Sequence, residues 1–351
     1  MPSTNAAGTS PGVSYVMPIL NEADYVEAAV RSILAQEYDG PAEVVLALGP
    51  STDGTNEIVA RMRCEDPRIQ AVENPRADIP IGLNRAIAAS RHPVIVRVDA
   101  HTELPPGYTQ RAVRTLLETE AANVGGVMLA AGRPGLQAAV AWAYNSPLGL
   151  GGGSYHHAEQ PAGEAESAYL GVMRAEALRA IGGFDESLRR GEDWELNYRF
   201  REAGYRVWRD PALQVTYWPR STWRELARQF YSTGAWRGEL IRRIHRRNSP
   251  RFFAPPVLVV STLAATAALV AGRRGRLTAA LAAGPVTYVG LLAGVAAVGP
   301  GSLRDRLRRC GVLAVMHYAW GFGLLVGLVR GGQHSVDRSR VGLDQPSQPS
   351  S

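Results

Sequence analysis

The sequence contains no lysine. All 38 residues in the combined lysine and arginine count are therefore arginine, and the formal net charge is +6 at neutral pH. Arginine binds phosphate through two parallel hydrogen bonds and is common beside anionic lipid headgroups. The soluble part has no basic helix or stripe with interleaved aromatic residues, so a nucleic-acid partner is not expected.

Cysteine is also scarce, because Cys64 and Cys310 are the only two. They are far apart, and neither has the paired spacing of a metal or redox motif, which fits a reducing compartment. The first twelve residues, MPSTNAAGTSPG, have neither a basic leader nor an apolar core, so no signal peptide is predicted. We therefore expect the part before the first membrane segment to stay cytoplasmic.

A dinucleotide-binding glycine motif is missing too. No G-x-G-x-x-G follows the first apolar run, VSYVMPI, which argues against a dinucleotide-dependent oxidoreductase. The first part instead alternates short apolar runs with helical periodicity, as in a βα-repeating sheet. Strands are predicted at 13–19, 43–48, 69–72 and 94–98, with helices at 24–36, up to 58, and at 82–90. Loops at the carboxyl ends of such strands commonly bind ligands.

The middle of the chain continues this alternation. A strand is predicted at 123–130, and the glycine-rich stretch 148–167, which includes His156 and His157, is expected to be a mobile loop. A helix in EDWELNYRFREAG is followed by two predicted strands, near Val207 and Val215, and by an amphipathic helix from Thr222 to about Arg237.

Three apolar stretches follow, at 254–272, 277–298 and 310–329. Each is close to the ~20 residues that a helix needs to cross a bilayer. The alternative is a buried helical bundle of a soluble protein. SLRDRLRR, before the third stretch, is interpreted as an amphipathic interfacial segment. Three crossings would put the C-terminus outside, but arginines flank both ends of the helices: Arg242, Arg243, Arg246, Arg247, Arg304, Arg306, Arg308 and Arg309 on one side, and Arg273, Arg274 and Arg276 on the other.

Acidic residues lie in three separate loop segments of the predicted domain. In VIVRVDAH a strand ends at Asp99, with His101 two residues on; a carboxylate and an imidazole suit Mg²⁺ or Mn²⁺ on a diphosphate, although strand-end aspartates are also turn formers. GPSTDGT presents Asp53 at the start of a helix, where an ordinary N-cap is the alternative. Glu192 and Asp193 open a later helix, whose dipole favours ionised carboxylates; they fit a general base or, again, a cap.

Taken together, VMPILNE, STDGT, DAH, GGFDE and EDWE resemble, in order and spacing, the family 2 inverting glycosyltransferases of the GT-A fold. The resemblance runs from about Val13 to Arg237. RVDAH and the arginine-rich membrane tail are most similar to the succinoglycan-type enzymes of that family. The resemblance implies an α/β fold, with a Rossmann-like, mostly parallel sheet flanked by helices and followed by C-terminal transmembrane helices.

The resemblance also implies roles for the donor-side residues. Pro18 and Glu22 would line the nucleotide pocket, and Asp53 would support the base side. Asp99 stands at the first position of the family's DXD motif and His101 at the last, so both would hold a divalent cation, Mn²⁺ or Mg²⁺, with the donor diphosphate.

On the acceptor side, Asp193 stands where the family has its catalytic base, with Glu192 beside it. Trp194, Trp208 and Trp218 are candidates for stacking on a sugar, or are core residues. Arg199 and Arg201 are interpreted as the solvated face of the EDWE helix.

The resemblance implies a multi-pass protein of the cell membrane that moves a sugar from a nucleotide sugar to a lipid-linked saccharide, for cell-envelope or exopolysaccharide synthesis. A polyprenyl-phosphate sugar synthase and a catalytically silent membrane subunit are the alternatives. The expected layout is a disordered N-terminus at 1–12, a catalytic domain at 13–240, a basic linker at 241–253, a membrane domain at 254–330 and a disordered tail at 331–351.

Three departures from the family pattern affect the metal, the nucleotide and processivity. His101 replaces an acidic residue, which favours Mn²⁺. Leu48, Gly49 and Pro50 stand where the family usually has aspartates, which leaves the nucleotide base open. The QxxRW motif of processive synthases is absent, since Gln229 is followed by FYSTGAW. Transfer of one sugar per encounter is therefore predicted.

Overall fold

The computed structural model describes residues 10–150, 161–244 and 249–332. Within these ranges the chain forms two compact units. The first contains residues 10–128 and 161–216, and the second contains residues 129–150, 217–244 and 249–332.

The first half of the first unit alternates strands and helices. Its elements are β1 (Val13–Ile19), α1 (Val26–Leu34), β2 (Ala42–Leu48), α2 (Thr55–Glu65), β3 (Ile69–Glu73), α3 (Ile79–Ala89), β4 (Val94–Arg97) and α4 (Tyr108–Glu118). The predicted βα alternation is confirmed to within a few residues at each boundary.

The chain then runs through β5 (Asn123–Ala130), α5 (Leu136–Tyr144), α6 (Pro147–Leu150), β6 (Gly163–Glu164), β7 (Tyr169–Arg174), α7 (Ala175–Ala180), α8 (Glu192–Glu202) and β8 (Val207–Tyr217). The two strands predicted near Val207 and Val215 are wrong, because β8 is one continuous strand of 11 residues. Asp210, inside this strand, is paired through its side chain with Arg111.

The glycine-rich stretch predicted as a loop is only partly described. Its first residues belong to α6, and Gly163–Glu164 form the short strand β6, which pairs with β8. His156 and His157 lie outside the described residues.

The eight strands form one sheet in the order β3-β2-β1-β4-β7-β5-β8-β6. The first four are parallel, and β7 joins β4 and β5 in antiparallel orientation. In this register Ile19 pairs with Leu48 and Val16 with Arg97, so the carboxyl ends of β1, β2 and β4 reach the same edge. The loops that carry Glu22, Asp53 and Asp99 therefore start side by side.

The core of this unit lies on both faces of the sheet. Tyr15 and Met17 of β1 belong to one buried cluster, which includes helices α1, α2 and α4, whereas Val16 belongs to a second cluster with α3 and α8. Successive strand residues point to opposite faces, so both faces of a fully covered strand must be apolar. The α/β fold with a Rossmann-like parallel half is confirmed.

The second unit contains α5, α6, α9 (Trp223–Arg243), a short 3-10 turn (Pro250–Phe253), α10 (Ala254–Val270), α11 (Arg276–Val298) and α12 (Leu303–Arg330). Three helical segments, at 250–270, 276–298 and 303–330, are long and apolar enough to cross a membrane. The prediction of three such helices is confirmed. The charged stretch LRDRLRR forms the first turns of α12, behind a Ser302 cap, and its location at the membrane interface stays a prediction. The amphipathic helix also continues to Arg243, beyond Arg237.

Within the second unit, α9 and α12 pack through glycines on both helices. A Cβ atom added at Gly234 would lie 2.1 Å from the carbonyl oxygen of Trp320, and one at Gly327 would lie 2.0 Å from that of Ala235. Gly238 and Gly323 meet the partner backbone in the same way. Small residues four apart on two helices let the backbones approach closely, as in membrane helix pairs.

Candidate active site

Asp99 lies at the carboxyl edge of the sheet, two residues after the end of β4. The turn that carries it is closed by a hydrogen bond of 2.9 Å from the Thr102 N–H to the Asp99 carbonyl oxygen. The side chains of Asp99 and His101 keep 22% and 14% of their accessible surface. Both are therefore sheltered but within reach of a ligand.

Arg97, the last residue of β4, joins Asp99 to the acidic start of α8. Its Nη2 atom lies 3.3 Å from Asp99 Oδ1 and 3.2 Å from Glu192 Oε1, and its Nη1 donates to Asp193. Glu192 and Asp193 are 95 and 96 residues away in sequence. The structure thus brings Asp99, Glu192 and Asp193 together around one guanidinium.

Sequence reasoning missed Arg97. The available signal was a charged residue inside the apolar run VIVRV, since a central parallel strand is buried on both faces. A buried arginine requires carboxylate partners, and this one has three. Its guanidinium also lies 5.9 Å from the ring centre of Phe184, in the GGFDE segment.

Local contacts of α8 fix the position of Asp193. The helix starts after Gly191, whose φ of 78° is a conformation that glycine adopts readily. Asn197, one turn later, donates through Nδ2 to the Asp193 carbonyl oxygen at 2.8 Å and accepts from Asn123 at 2.7 Å. A buried amide network therefore holds this turn of the helix to β5.

Arg199 does not belong to a solvated face, contrary to the prediction. It pairs with Glu195 on the same helix and donates to the carbonyl oxygens of Ile181 and Gly183, each at 2.7 Å. The prediction holds only for Arg201, which is exposed. Arg199 thus joins α8 to the GGFDE segment, whereas Arg201, two residues on, points in a different direction along the helix.

Charges around Asp193 oppose one another. Burial, the largest influence, raises the pKa of Asp193; Arg97 lowers it, and the negative side chains of Glu192 and Asp99 raise it further, to about 7. Burial alone would lower the pKa of Arg97, but the three carboxylates hold it above its ordinary value, so the guanidinium stays charged. A carboxyl group with a pKa near neutrality suits general base catalysis.

A second group of polar contacts joins the loops after β1 and β2. The Asp53 carboxylate accepts hydrogen bonds from the Thr55 hydroxyl at 2.5 Å and from the Ala23 N–H at 3.1 Å. Glu22 in turn donates its N–H to Thr55 Oγ1 at 2.9 Å. Burial would raise the pKa of Asp53, but these hydrogen bonds hold it below the usual value. The N-cap residue of α2 is Gly54, not Asp53, although Asp53 Oδ1 accepts from the Thr55 N–H at 3.1 Å. Asp53 thus ties the two loops together.

His101 connects the two groups, because its Nδ1 lies 3.7 Å from Glu22 Oε1. Pro18 is half-buried near the end of β1 and lies beside α3. A Cβ atom added at Gly82 of α3 would lie 3.3 Å from the Cβ atom of Pro18. Asn21 adopts a left-handed conformation with φ of 52°, and its side chain accepts from the Thr52 N–H at 2.8 Å. The predicted donor-side residues thus lie along one edge of the sheet.

A divalent cation at this edge would have two direct protein ligands, the Asp99 carboxylate and the His101 imidazole. Among the described residues no group of three or more His, Cys, Asp or Glu side chains is arranged to hold a metal ion. Mg²⁺ usually takes one or two carboxylates together with substrate phosphates and water, and imidazole suits Mn²⁺. The donor set therefore fits a cation that arrives with a diphosphate.

The three tryptophan candidates have different surroundings. Trp194 stacks on Tyr198 with ring centres 5.8 Å apart, directly beside Asp193 on α8. Trp208 packs against the core of the first unit. Trp218, in the second unit, is 47% exposed. Of the three, only Trp194 adjoins the acidic cluster in sequence.

Comparison with known proteins gives a consistent assignment. The family model for glycosyl transferase family 2 matches residues 14–180. The chain is 38% identical over 233 residues to the succinoglycan biosynthesis protein ExoA of Rhizobium meliloti, which covers 66% of this chain and 70% of the relative. It is 22% identical over 241 residues to a dolichyl N-acetyl-alpha-D-glucosaminyl phosphate 3-beta-D-2,3-diacetamido-2,3-dideoxy-beta-D-glucuronosyltransferase of Methanococcus voltae, covering 66% of this chain and 74% of that one.

Among solved structures, the mannosyltransferase PcManGT from Pyrobaculum calidifontis, in complex with GDP-Man and Mn²⁺, is similar with a TM-score of 0.60. The similarity covers 91% of this chain and 87% of that one at 20% sequence identity. At that identity the likeness concerns the fold, and it is the GT-A fold expected from the motifs.

Proposed function

Because the chain belongs to glycosyl transferase family 2, we propose that it moves a sugar from a nucleotide-sugar donor to an acceptor, with inversion at the anomeric carbon. The observation that carries this proposal is the convergence of Asp99 and Asp193 on Arg97, because a donor-side and an acceptor-side carboxylate must share one crevice. Inversion requires a single displacement, with one base and no covalent intermediate.

In the proposed reaction Asp193 accepts the proton of an acceptor hydroxyl while that oxygen attacks the anomeric carbon. The bond from this carbon to the diphosphate breaks, and the nucleoside diphosphate leaves. A pKa raised to about 7 supports this role, since it combines a sizeable ionised fraction near neutral pH with adequate basicity. Glu192, held by Arg97 on the buried side, is proposed to orient the base.

On the donor side, Pro18, Glu22 and Asp53 are proposed to line the nucleotide pocket. The hydrogen bonds from Ala23 and Thr55 to Asp53 support a rigid loop there. Asp99 and His101 are the residues that would hold Mn²⁺ or Mg²⁺, which when bound stabilises negative charge on the departing diphosphate. The imidazole ligand favours Mn²⁺.

The acceptor is proposed to be a lipid-linked saccharide. Three helices able to span a membrane belong to the same chain, and the Methanococcus relative is named for a dolichyl phosphate-linked acceptor. The name of the Rhizobium relative supports a role in exopolysaccharide or cell-envelope synthesis. In this proposal the protein is a multi-pass membrane protein whose catalytic domain, residues 13–240, faces the cytoplasm, with a basic linker at 241–253 and a membrane domain at 254–330.

The test is transfer by the detergent-purified protein with UDP- and GDP-sugars, MnCl₂ and a lipid-linked saccharide extract. Asp193→Asn should abolish transfer, whereas Asp66→Asn, at a half-buried carboxylate paired with the exposed Arg68, should leave it unchanged. Mass spectrometry of the product identifies the acceptor, and NMR of the new linkage reports its configuration.

Each alternative predicts a different outcome. A product with the sugar directly on polyprenyl phosphate would identify a polyprenyl-phosphate sugar synthase. A wild-type protein that transfers nothing, yet still binds a nucleotide or a partner protein, would be a silent subunit. Retention of configuration would refute the single displacement.

A further inference from the structure

Arg97 is placed differently toward each of its three carboxylates. Its side chain is 6% exposed, and its Nη1 bonds Asp193 alone, whereas Nη2 is shared at 3.3 Å with Asp99 and 3.2 Å with Glu192. Of the two that share Nη2, Asp99 is the more exposed, at 22% against 10% for Glu192. Asp193 is more exposed still, at 36%, but it has Nη1 to itself. Of the two contacts that share Nη2, the one with Asp99 is therefore the one that a ligand can exchange more readily.

The charges around Arg97 also favour the binding of a cation. Asp99, Glu192 and Asp193 carry up to three negative charges around one guanidinium. Like charges held close together in a sheltered site are costly, and a single arginine offsets them only in part. A divalent cation beside these carboxylates would offset part of the remaining repulsion.

We propose that Arg97 is a positioning residue that holds Asp99 in the nucleotide-free protein and releases it when a metal-bound nucleoside diphosphate enters, while it continues to hold Asp193. This proposal rests on the proposed function. The protein should therefore bind a divalent cation weakly when no nucleotide is present and tightly when a nucleoside diphosphate is present. Only the cation and the diphosphate together compensate for the lost contact between Arg97 and Asp99.

The experiment measures Mn²⁺ binding by electron paramagnetic resonance of the free ion, with and without UDP or GDP, on the purified full chain. Arg97→Gln removes the competing charge, so nucleotide-free Mn²⁺ affinity should rise by about tenfold or more. Arg97→Lys keeps the charge and should stay near the wild-type affinity. Arg68→Gln is the matched control: it removes the same charge at the amino end of β3, on an exposed side chain, and should change nothing.

A kinetic readout tests the hold on Asp193. A lysine ammonium lacks the planar fork that reaches two carboxylates at once. Arg97→Lys should therefore lower kcat by about tenfold or more while donor KM stays within about twofold, as expected when an interaction specific to the transition state is lost. A general loss of structure would instead lower the folded fraction, which a thermal melt reports.

The outcomes separate this inference from the function it rests on. Equal nucleotide-free Mn²⁺ affinity in wild type and Arg97→Gln would overturn the exchange alone. Wild-type protein that binds no Mn²⁺ with either nucleotide would overturn the proposed donor site, and the exchange with it. If Arg97→Gln does not fold, kcat of the Arg97→Lys variant tests the inference. A kcat equal to that of the wild type would overturn the positioning role of Arg97.

Discussion

The backbone N–H of Glu22 donates a hydrogen bond of 2.9 Å to the Thr55 hydroxyl, across 33 residues of sequence. Thr55 is fully buried, and the same hydroxyl donates to Asp53 at 2.5 Å. One side chain thus joins the two loops proposed to form the nucleotide pocket.

Thr55→Val should weaken donor binding. Valine has nearly the same shape but lacks the hydroxyl that accepts from the Glu22 N–H and donates to Asp53. Losing such bonds costs about 1–3 kcal/mol, so nucleoside diphosphate affinity should fall by about tenfold, with kcat little changed. Isothermal titration with UDP and GDP measures the affinity. Thr55→Ser keeps the hydroxyl and should bind as the wild type does; equal binding by Thr55→Val would show that the pocket lies elsewhere.

The pH dependence of kcat/KM should reveal the raised pKa of Asp193. The base must be ionised to act, so activity should fall as pH drops through about 7, well above the ordinary aspartate value. Because kcat/KM reports ionisation in the free enzyme, this parameter is the one to measure. An acid limb near pH 4 instead would mean that Asp193 is not the titrating base, or that Arg97 outweighs its burial.

The pair formed by Asp210 and Arg111 should stabilise the first unit above the ordinary pKa of aspartate. Burial would raise the pKa of Asp210, but hydrogen bonds from Arg111, the Ala212 N–H and Thr115 lower it. A lowered folded-state pKa gives stability that is present above the unfolded value, about 3.9, and is lost as pH falls through the folded value. Asp210→Asn should therefore destabilise the protein by about 1–3 kcal/mol at pH 7, and the gap should narrow below about pH 4.

Thermal unfolding at pH 7 and at about pH 3.5 measures this effect. Asp66→Asn removes the carboxylate of a surface pair whose arginine, Arg68, is 46% exposed, and should cost less than about 1 kcal/mol. A gap between wild type and Asp210→Asn that does not depend on pH would point to lost packing in place of the ion pair.

The glycine contacts between α9 and α12 should tolerate no side chain. At Gly327 a methyl group would meet the Ala235 backbone at 2.0 Å, so Gly327→Ala must push the helices apart and lower the melting temperature in detergent by several degrees. Gly290→Ala in α11 is the control, because a Cβ there meets nothing within 4 Å. That substitution should be neutral or slightly stabilising, since alanine favours a helix. Similar melting of both variants would refute the close α9–α12 contact.

Local pattern predicted the elements but not all of their lengths. The run VSYVMPI and the helical face of Val26, Val30 and Ile33 were predicted because burial imposes periods of two and 3.6 residues. β8 was wrongly divided into two strands, although its buried Asp210 pairs with Arg111, 99 residues away. The start of α12 was placed too late because its first turns are rich in arginine and were treated as a segment separate from the apolar stretch.

By itself, the sequence determined the order of strands and loops, the three apolar helices and the acidic residues after the strands, because each depends on neighbours within a few positions. Only the tertiary structure decided that Asp99, Glu192 and Asp193 share Arg97, and that Arg199 anchors the GGFDE segment. An ion pair between residues about a hundred positions apart leaves no periodic pattern in the chain. Such an ion pair depends on the register of the parallel strands and on where the first turn of a helix packs against them. Both are set only when the whole chain folds.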